Sequence, residues 1–195
     1  MNWMAKRKLN KEDIFVATDS LLAEVGYEGF HFKPLAEKLH VGRSTIYEYY
    51  SSKDDLLIAY MHHIMNQFMD DHEKIDQTTS VKSQMKELIY LFIKHDRILM
   101  AIDLTPHVEK NGSEQVQHVL QQLWSYHHLI FQRIKNLVAE GRKTGEIRTD
   151  LPVSLIEMML FQSISLNKAR SQEALEEWAA AIYELLFNGI KKNES

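Results

Sequence analysis

At 195 residues the chain is long enough for one large domain or two smaller ones. It has no Cys, which excludes disulfides and thiolate metal sites, and its net charge of −4 argues against charge-driven nucleic-acid binding unless basic residues are concentrated locally. The amino-terminal "MNWMAKRKLNKED" lacks the apolar run of a signal peptide, and no stretch approaches the roughly 18 apolar residues of a membrane span, so a cytoplasmic protein with no membrane partner is expected. Through Lys53 the basic residues 6, 7, 8, 11, 33, 38, 43 and 53 slightly outnumber the acidic residues 12, 13, 19, 24, 28, 37 and 48. The acidity therefore belongs to the rest of the chain.

Pro and Gly are few and apolar residues recur at three-to-four spacing almost throughout, so the fold class is all-α. A first helix is expected from Asn10, as N-cap, to Val25, with Ile14, Ala17, Leu21, Leu22 and Val25 inward and Gly26 as its stop. A second begins near His31, because Pro34 is tolerated only in a first turn, and buries Leu35, Ala36 and Leu39. After "HVG" a third runs from Arg43 to Tyr50. Ser52 with Asp55 then starts a fourth, whose stripe Leu57, Met61, Ile64 and Phe68 extends to near Lys74. A fifth carries Val81, Met85, Leu88 and Phe92, and a short apolar segment from Ile98 to Leu104 ends at Pro106. Past a loop at "EKNGSE", a long helix from Ser113 to Gly141 repeats Val116, Leu120, Leu123, His127, Ile130, Ile134 and Leu137. Helices from Pro152 to Lys168 and from Gln172 to Ile190 close the chain, apolar on more than one side and so in need of a second partner.

The stretch "LAEKLHVGRSTIYEYYSSKDDLL", residues 35–57, has the spacing of a helix-turn-helix, in which the first helix braces the second for entry into the major groove. Arg43, Ser44 and Thr45 crowd the first turn of the second helix. Tyr47, Tyr49 and Tyr50 add hydroxyls on rigid rings, and Lys53 adds a charge for the phosphate backbone. By spacing alone an ordinary helical corner fits equally well. From Ile14 to Leu57, however, "LLAEVGYEGF" and then "LAEKLHVGRSTIYEYYSSKDDLL" resemble the TetR family of bacterial transcriptional regulators in residue types and in spacing. "TGEIRTDLP" is a phrase often seen before the dimerisation helices of that family. The resemblance implies a DNA-binding domain over 1–52 and a ligand-binding and dimerisation domain over 53–195. It places Arg43, Ser44, Thr45, Tyr47, Tyr49, Lys53, His31 and Lys33 at double-stranded operator DNA. The turn departs from the family's Gly-Val-Ser: His40-Val41-Gly42 moves the glycine and sets His40 in a left-handed conformation. Phe30 and His31 stand where relatives carry Thr or Ser.

The family's ligand cavity lies among the middle helices, where Met61, Met65, Phe68, Phe92, Met100, Trp124 and Phe131 cluster in the pattern, with His62 and His127 as polar contacts in a largely apolar pocket. The plainer reading makes these side chains core, and each His a hydrogen-bonded boundary residue. Adjacent His pairs at 62–63 and 127–128 point about 100° apart on a helix, so neither forms a metal-ligand face, and no metal or cofactor is expected. No nucleophile with a positioned base and no phosphate loop is present, so no enzyme is expected. Leu155, Met159, Phe161, Trp178, Ile182 and Leu186 are the expected homodimer interface. By resemblance the chain is a repressor whose dimer leaves a two-half-site operator when a small, largely apolar effector binds. The rival readings are an all-helical assembly protein that keeps the head without using it on DNA, and a helical ligand-binding protein or enzyme. A gel-shift separates the first reading from these two.

Overall fold

The computed structural model describes residues 9–109, 114–163, 165–166 and 174–190. The basic residues Lys6, Arg7 and Lys8, and the expected helix ends at Ser113, Lys168 and Gln172, lie outside this set. Among the described residues the regular elements are α-helices: α1 (Lys11–Gly29), α2 (Phe32–Lys38), α3 (Arg43–Tyr47), α4 (Lys53–His72), α5 (Val81–Lys94), α6 (Ile98–Glu109), α7 (Glu114–Thr144), α8 (Val153–Gln162) and α9 (Leu175–Ile190). They fall into two compact units. The head holds the described residues up to Met61 and those within Leu104–Gln117; the second unit holds His62–Asp103 and the chain from His118 onward. The division lies inside α4 rather than at its start, and the head also takes the end of α6.

In the head, Asn10 caps α1 by accepting the Asp13 N–H at 2.7 Å. Ile14, Phe15, Ala17, Thr18, Leu21 and Leu22 form its buried face. Gly26 does not end the helix cleanly: at φ 65°, ψ −175° it kinks the chain in a region open essentially to Gly, and helical turns resume to Gly29. Val25, expected inward, is 45% exposed at the turn before this kink. The α2–α3 turn is a Schellman closure. Val41 N–H reaches the Ala36 carbonyl at 3.0 Å and His40 N–H reaches that of Glu37 at 3.1 Å, with His40 at φ 55°. A side chain at this left-handed position costs about 1 kcal/mol relative to Gly. Gly42 then caps α3 without a side-chain bond. Leu35, Ile46, Phe30, Leu56 and Leu57 are wholly excluded from solvent and hold the short helices together. Ser52 Oγ accepts the Asp55 N–H at 3.0 Å, starting α4, and the buried Tyr60 donates its hydroxyl to Asp19 at 2.6 Å. α3 ends at Tyr47, earlier than expected, and α6 runs past its expected stop at Pro106. That proline removes the N–H owed to the Ile102 carbonyl, which belongs to a residue on the solvent side.

In the second unit, α5 buries Val81, Met85, Leu88, Ile89, Phe92 and Ile93. It packs along α9, whose Ala179, Ile182, Tyr183, Leu186 and Phe187 are buried. The phrase "TGEIRTDLP" works as a clasp. Arg148 N–H bonds the Ile190 carbonyl at 2.8 Å, its guanidinium grips Asp150, and Arg142 donates to the Leu151 carbonyl. Gly141 permits the close approach beneath it, since a Cβ there would lie 2.6 Å from Ile147 Cδ1 and 3.1 Å from Val81 Cγ1. At the end of α4, Asp71 accepts bonds from Lys74 and Lys94 at 2.7 Å each and from His95 Nε2 at 2.9 Å. The Lys74 bond, then those of Lys94 and His95, hold this carboxyl far below the usual carboxylate range. Burial pushes His95 down, so it donates as a neutral imidazole.

A carboxylate depressed by folding adds stability above its unfolded value, about 3.9, and loses that contribution as pH falls below it. Asp71→Asn should therefore cost about 1–2 kcal/mol near neutrality, with the gap to wild type closing as denaturant unfolding is repeated from about pH 5 down to about pH 2. A gap that stays constant with pH would assign the loss to packing.

Candidate nucleic-acid interface and ligand-binding unit

The residues expected at DNA divide by where the head directs them. Arg43, Ser44, His31 and Lys33 are exposed, and Tyr47 is 49% exposed. Tyr47 stands edge-on to the buried Phe32, centroids 5.0 Å apart, and the Arg43 guanidinium reaches back over the Tyr47 ring at 5.9 Å. A rigid ring and a cation thus share one outward surface. Thr45 does not join them: it is buried beside Ile46, on the side of α3 that faces the core. Tyr49 is half-buried and donates its hydroxyl to the Leu9 carbonyl, tying the start of α1 to the end of the turn.

Lys53 departs most from its expected role. Its ammonium bonds the Tyr27 carbonyl and sits 3.6 Å from the centroid of the Tyr27 ring. His107 stacks on the same ring at 4.3 Å and 18°, and the Tyr27 hydroxyl donates to Asp54 at 3.3 Å. Burial lowers the Lys53 pKa despite the nearby Glu28 and Asp54, and burial followed by Asp54 raises that of Tyr27. Lys53 therefore acts as an internal tie between α1 and α4. The sequence carries no signal for this cluster, because His107 lies far along the chain beyond the proline that was expected to end its helix.

In the second unit several expected pocket residues do meet. Phe68 stacks on Phe92 at 6.0 Å, and Phe161 collects Phe92 (6.4 Å), Phe131 (6.2 Å) and His127 (5.2 Å) edge-on. Phe161, expected at the dimer interface, is half-buried and stands at the hub of this cluster. Met65, Phe68 and Phe92 are buried core, while Trp124, in edge contact with His127, is 57% exposed. Met61 is buried too, but as part of the head. Met100 is half-buried on α6. His62 has the Asn66 amide 3.3 Å from its Nδ1, and Tyr126 bonds the same Asn at 3.5 Å. That is the plain hydrogen-bonded environment of a boundary histidine.

Two surface grooves in this unit involve none of the nine expected pocket residues. One, of about 550 Å³ between α4 and α5, is lined by Asp71, Lys74, Lys86, Tyr90 and Lys94 among others. The other, of about 700 Å³ between α4 and α7, is lined by Met69, His72, His128, Leu129, Gln132, Arg133 and Asn136 among others. Among the described residues no three His, Asp or Glu converge as metal ligands, and no helix is long and apolar enough to cross a membrane.

Of the expected interface residues, Ile182 and Leu186 are buried within the protomer on the side of α9 packed on α5, and Trp178 is half-buried. Leu155 (47%) and Met159 (48%) are exposed, as are Met158 (61%) on α8 and Leu185 (75%) on α9. The apolar face left open therefore lies on α8 and on the opposite side of α9.

Residues 14–60 match the family model for bacterial regulatory proteins of the tetR family. The chain is 28% identical over 167 residues, 83% of its length and 82% of the other's, to a fatty acid metabolism regulator protein of Bacillus subtilis. Its fold is similar to that of KstR2, a ketosteroid transcriptional regulator of Mycobacterium tuberculosis, with a TM-score of 0.80 at 12% identity over 96% and 98% of the two chains. It is also similar to the transcriptional regulator FadR of Bacillus subtilis in complex with stearoyl-CoA, with a TM-score of 0.60 at 22% identity over 93% and 100%. The head is thus matched in sequence by the tetR family of bacterial regulatory proteins, and the full length is similar in fold to solved transcriptional regulators.

Proposed function

We propose that this ligand-responsive, DNA-binding regulator is a repressor, that it binds a palindromic operator as a homodimer, and that an effector with a long apolar chain, of the fatty-acyl class, releases it. The observation that carries the reading is the sorting of the helix-turn-helix residues. Thr45, Tyr49 and Lys53 are spent on holding the head together, while Arg43, Ser44, Tyr47, His31 and Lys33 are left on its surface with no structural duty beyond the contacts within it. Side chains of this kind donate to phosphates and groove edges. The acyl class is supported by the fatty acid regulator relative and by the stearoyl-CoA carried by a fold neighbour. The Met and Phe side chains at Met65, Phe68, Phe92, Phe131 and Phe161 suit it chemically, because thioether and ring surfaces repack around alkyl chains. A homodimer is supported by the exposed Leu155, Met158, Met159 and Leu185 on α8 and α9, and two-fold pairing is the commonest way to cover such a face. The protein acts as a regulator rather than as an enzyme, as its relatives do.

Arg43→Ala should weaken binding to every DNA sequence and reduce the slope of log affinity against log salt by about one unit. Lys53→Ala should leave that slope unchanged and lower the melting temperature. Fluorescence anisotropy over a salt series and a thermal melt check both, and a slope that falls in Lys53→Ala would return that residue to the phosphate backbone.

Leu185→Glu combined with Met158→Glu should give a folded monomer in sedimentation, since both side chains are exposed in the protomer and neither supports its core. A dimer that survives the pair of substitutions would move the interface elsewhere.

Long-chain acyl compounds should raise the melting temperature and weaken operator binding. Linkage requires DNA to weaken the effector by the same factor, on the scale of about 1–3 kcal/mol. Titration of decanoyl-CoA and hexadecanoyl-CoA into the protein with and without operator measures that reciprocity, and binding that leaves DNA affinity unchanged would refute the regulatory role.

A further inference from the structure

The α4–α7 groove contains two polar groups that the fold prepares and then leaves incompletely used. His72, at the end of α4, is 7% exposed, lies parallel to Phe68 with centroids 6.4 Å apart, and has no hydrogen-bond partner at Nδ1. A buried nitrogen left dry and unpaired is destabilising, so a hydrogen-bonding ligand gains by reaching it. Arg133 on α7 faces the same groove. Its guanidinium donates to Gln77 Oε1 at 3.2 Å and to Gln84 Oε1. Gln84 is itself buried and held by bonds from its Nε2 to the carbonyls of Gln77 (3.1 Å) and Thr79 (2.6 Å). Two neutral amides therefore aim the cation, and among the described residues no carboxylate forms an ion pair with it. A half-buried guanidinium without a counter-charge is poorly solvated, and burial lowers its pKa accordingly. Burial, then Arg133, hold His72 below its usual range, leaving a neutral imidazole able to carry its proton on Nδ1.

The remaining wall mixes apolar, amide and other polar groups, with Ser125 and His128 on it and Glu73 as its one carboxylate, which forms no ion pair with Arg133 among the described residues. Met69 and Leu129 continue the surface of the core, while Gln132 and Asn136 stand exposed on the rim. The volume, about 700 Å³, is that of a small-molecule site. The α4–α5 groove carries Lys74, Lys86 and Lys94, but Asp71 and Glu87 stand among them and Asp71 already pairs with Lys74 and Lys94. We infer that the α4–α7 groove is an anion-recognition site, in which Arg133 supplies the counter-charge and His72 Nδ1 a hydrogen bond to a carboxylate or phosphate borne by an apolar ligand. The inference rests on the reading above that an acyl-bearing effector acts on this unit, and it assigns the polar end of that effector to this groove.

The test is calorimetric titration of the full chain with four probes: inorganic phosphate, decanoate, free CoA and decanoyl-CoA. Each is run on wild type, Arg133→Gln and Asn136→Asp, after a thermal melt of each protein. Asn136→Asp places a negative charge on an exposed rim position and guards against the case in which Arg133→Gln simply loosens the Gln77–Gln84 contacts. At least one of decanoate, CoA and decanoyl-CoA should bind wild type and lose about tenfold or more in affinity in both variants. A loss confined to decanoate identifies a carboxylate as the group read, and a loss shared by CoA and decanoyl-CoA identifies a phosphate. No binding by any probe at millimolar concentration, or affinities equal within about twofold in wild type and Asn136→Asp, overturns the site. Operator binding followed in parallel separates the two claims: a groove that binds and loses its anion as described while DNA affinity stays constant upholds the site and refutes the effector reading.

Discussion

Five residues of α-helix have no stability of their own, because helix nucleation is costly and a single turn recovers little of it. Everything the head presents outward therefore depends on how α3 is fastened, and the fastening is burial of Thr45 and Ile46 together with the hydrogen-bonded turn at His40. Burying the Ile46 side chain contributes about 1.5–3 kcal/mol, which exceeds the roughly 1 kcal/mol that a side chain in the left-handed region costs at His40. The turn is thus stable without the glycine that relatives carry there. Tyr49 and Lys53 add ties to Leu9 and Tyr27, so the polar residues flanking α3 rigidify the helix that the exposed ones use. A site held by its neighbours in this way loses little entropy on binding.

The second unit follows a different logic. Its middle is a run of rings from Phe68 through Phe92 to Phe161, with Phe131 and His127 edge-on, and such contacts favour tilted arrangements over a single fixed stacking. Met65, Met69 and Met85 are buried in the same unit, and their unbranched side chains change shape at small cost. Buried polar atoms without a hydrogen-bond partner in this unit include His72 Nδ1, Arg142 Nε, Trp178 Nε1 and the Tyr183 hydroxyl, and of these His72 lines the groove that Arg133 shares. Under the reading proposed above, the apolar and polar ends of the effector fall to different parts of this one unit.

α9 shows how one helix serves two surfaces. It is apolar on most sides, and burial of Ile182, Tyr183, Leu186 and Phe187 leaves Leu185 outward at 75% exposure. The two-sided pattern was legible in the sequence as a need for a second partner. Which side meets α5 was not, since both offer large apolar side chains at the same spacing.

The helical class, the caps at Asn10 and Ser52, the left-handed His40 and the outward Arg43, Ser44 and Tyr47 were all readable from the chain, because each is settled by residues within about four positions of one another. The continuation of α6 through Pro106 was missed, because proline's local penalty of about 3 kcal/mol yields to packing by Leu104 and Val108 that no local pattern shows. The contacts that Thr45, Tyr49 and Lys53 make within the head were not legible for a related reason. Their partners include backbone carbonyls as far as 40 and 26 residues away, at Leu9 and Tyr27, and a hydroxyl or ammonium looks equally suited to DNA until those carbonyls are in place. The sequence by itself determined the helices, their joints and the family of the head. Only the tertiary structure decided which polar side chains are consumed inside it and which are left for a ligand, because satisfying a buried carbonyl or leaving an imidazole nitrogen bare is a property of chain segments brought together in space.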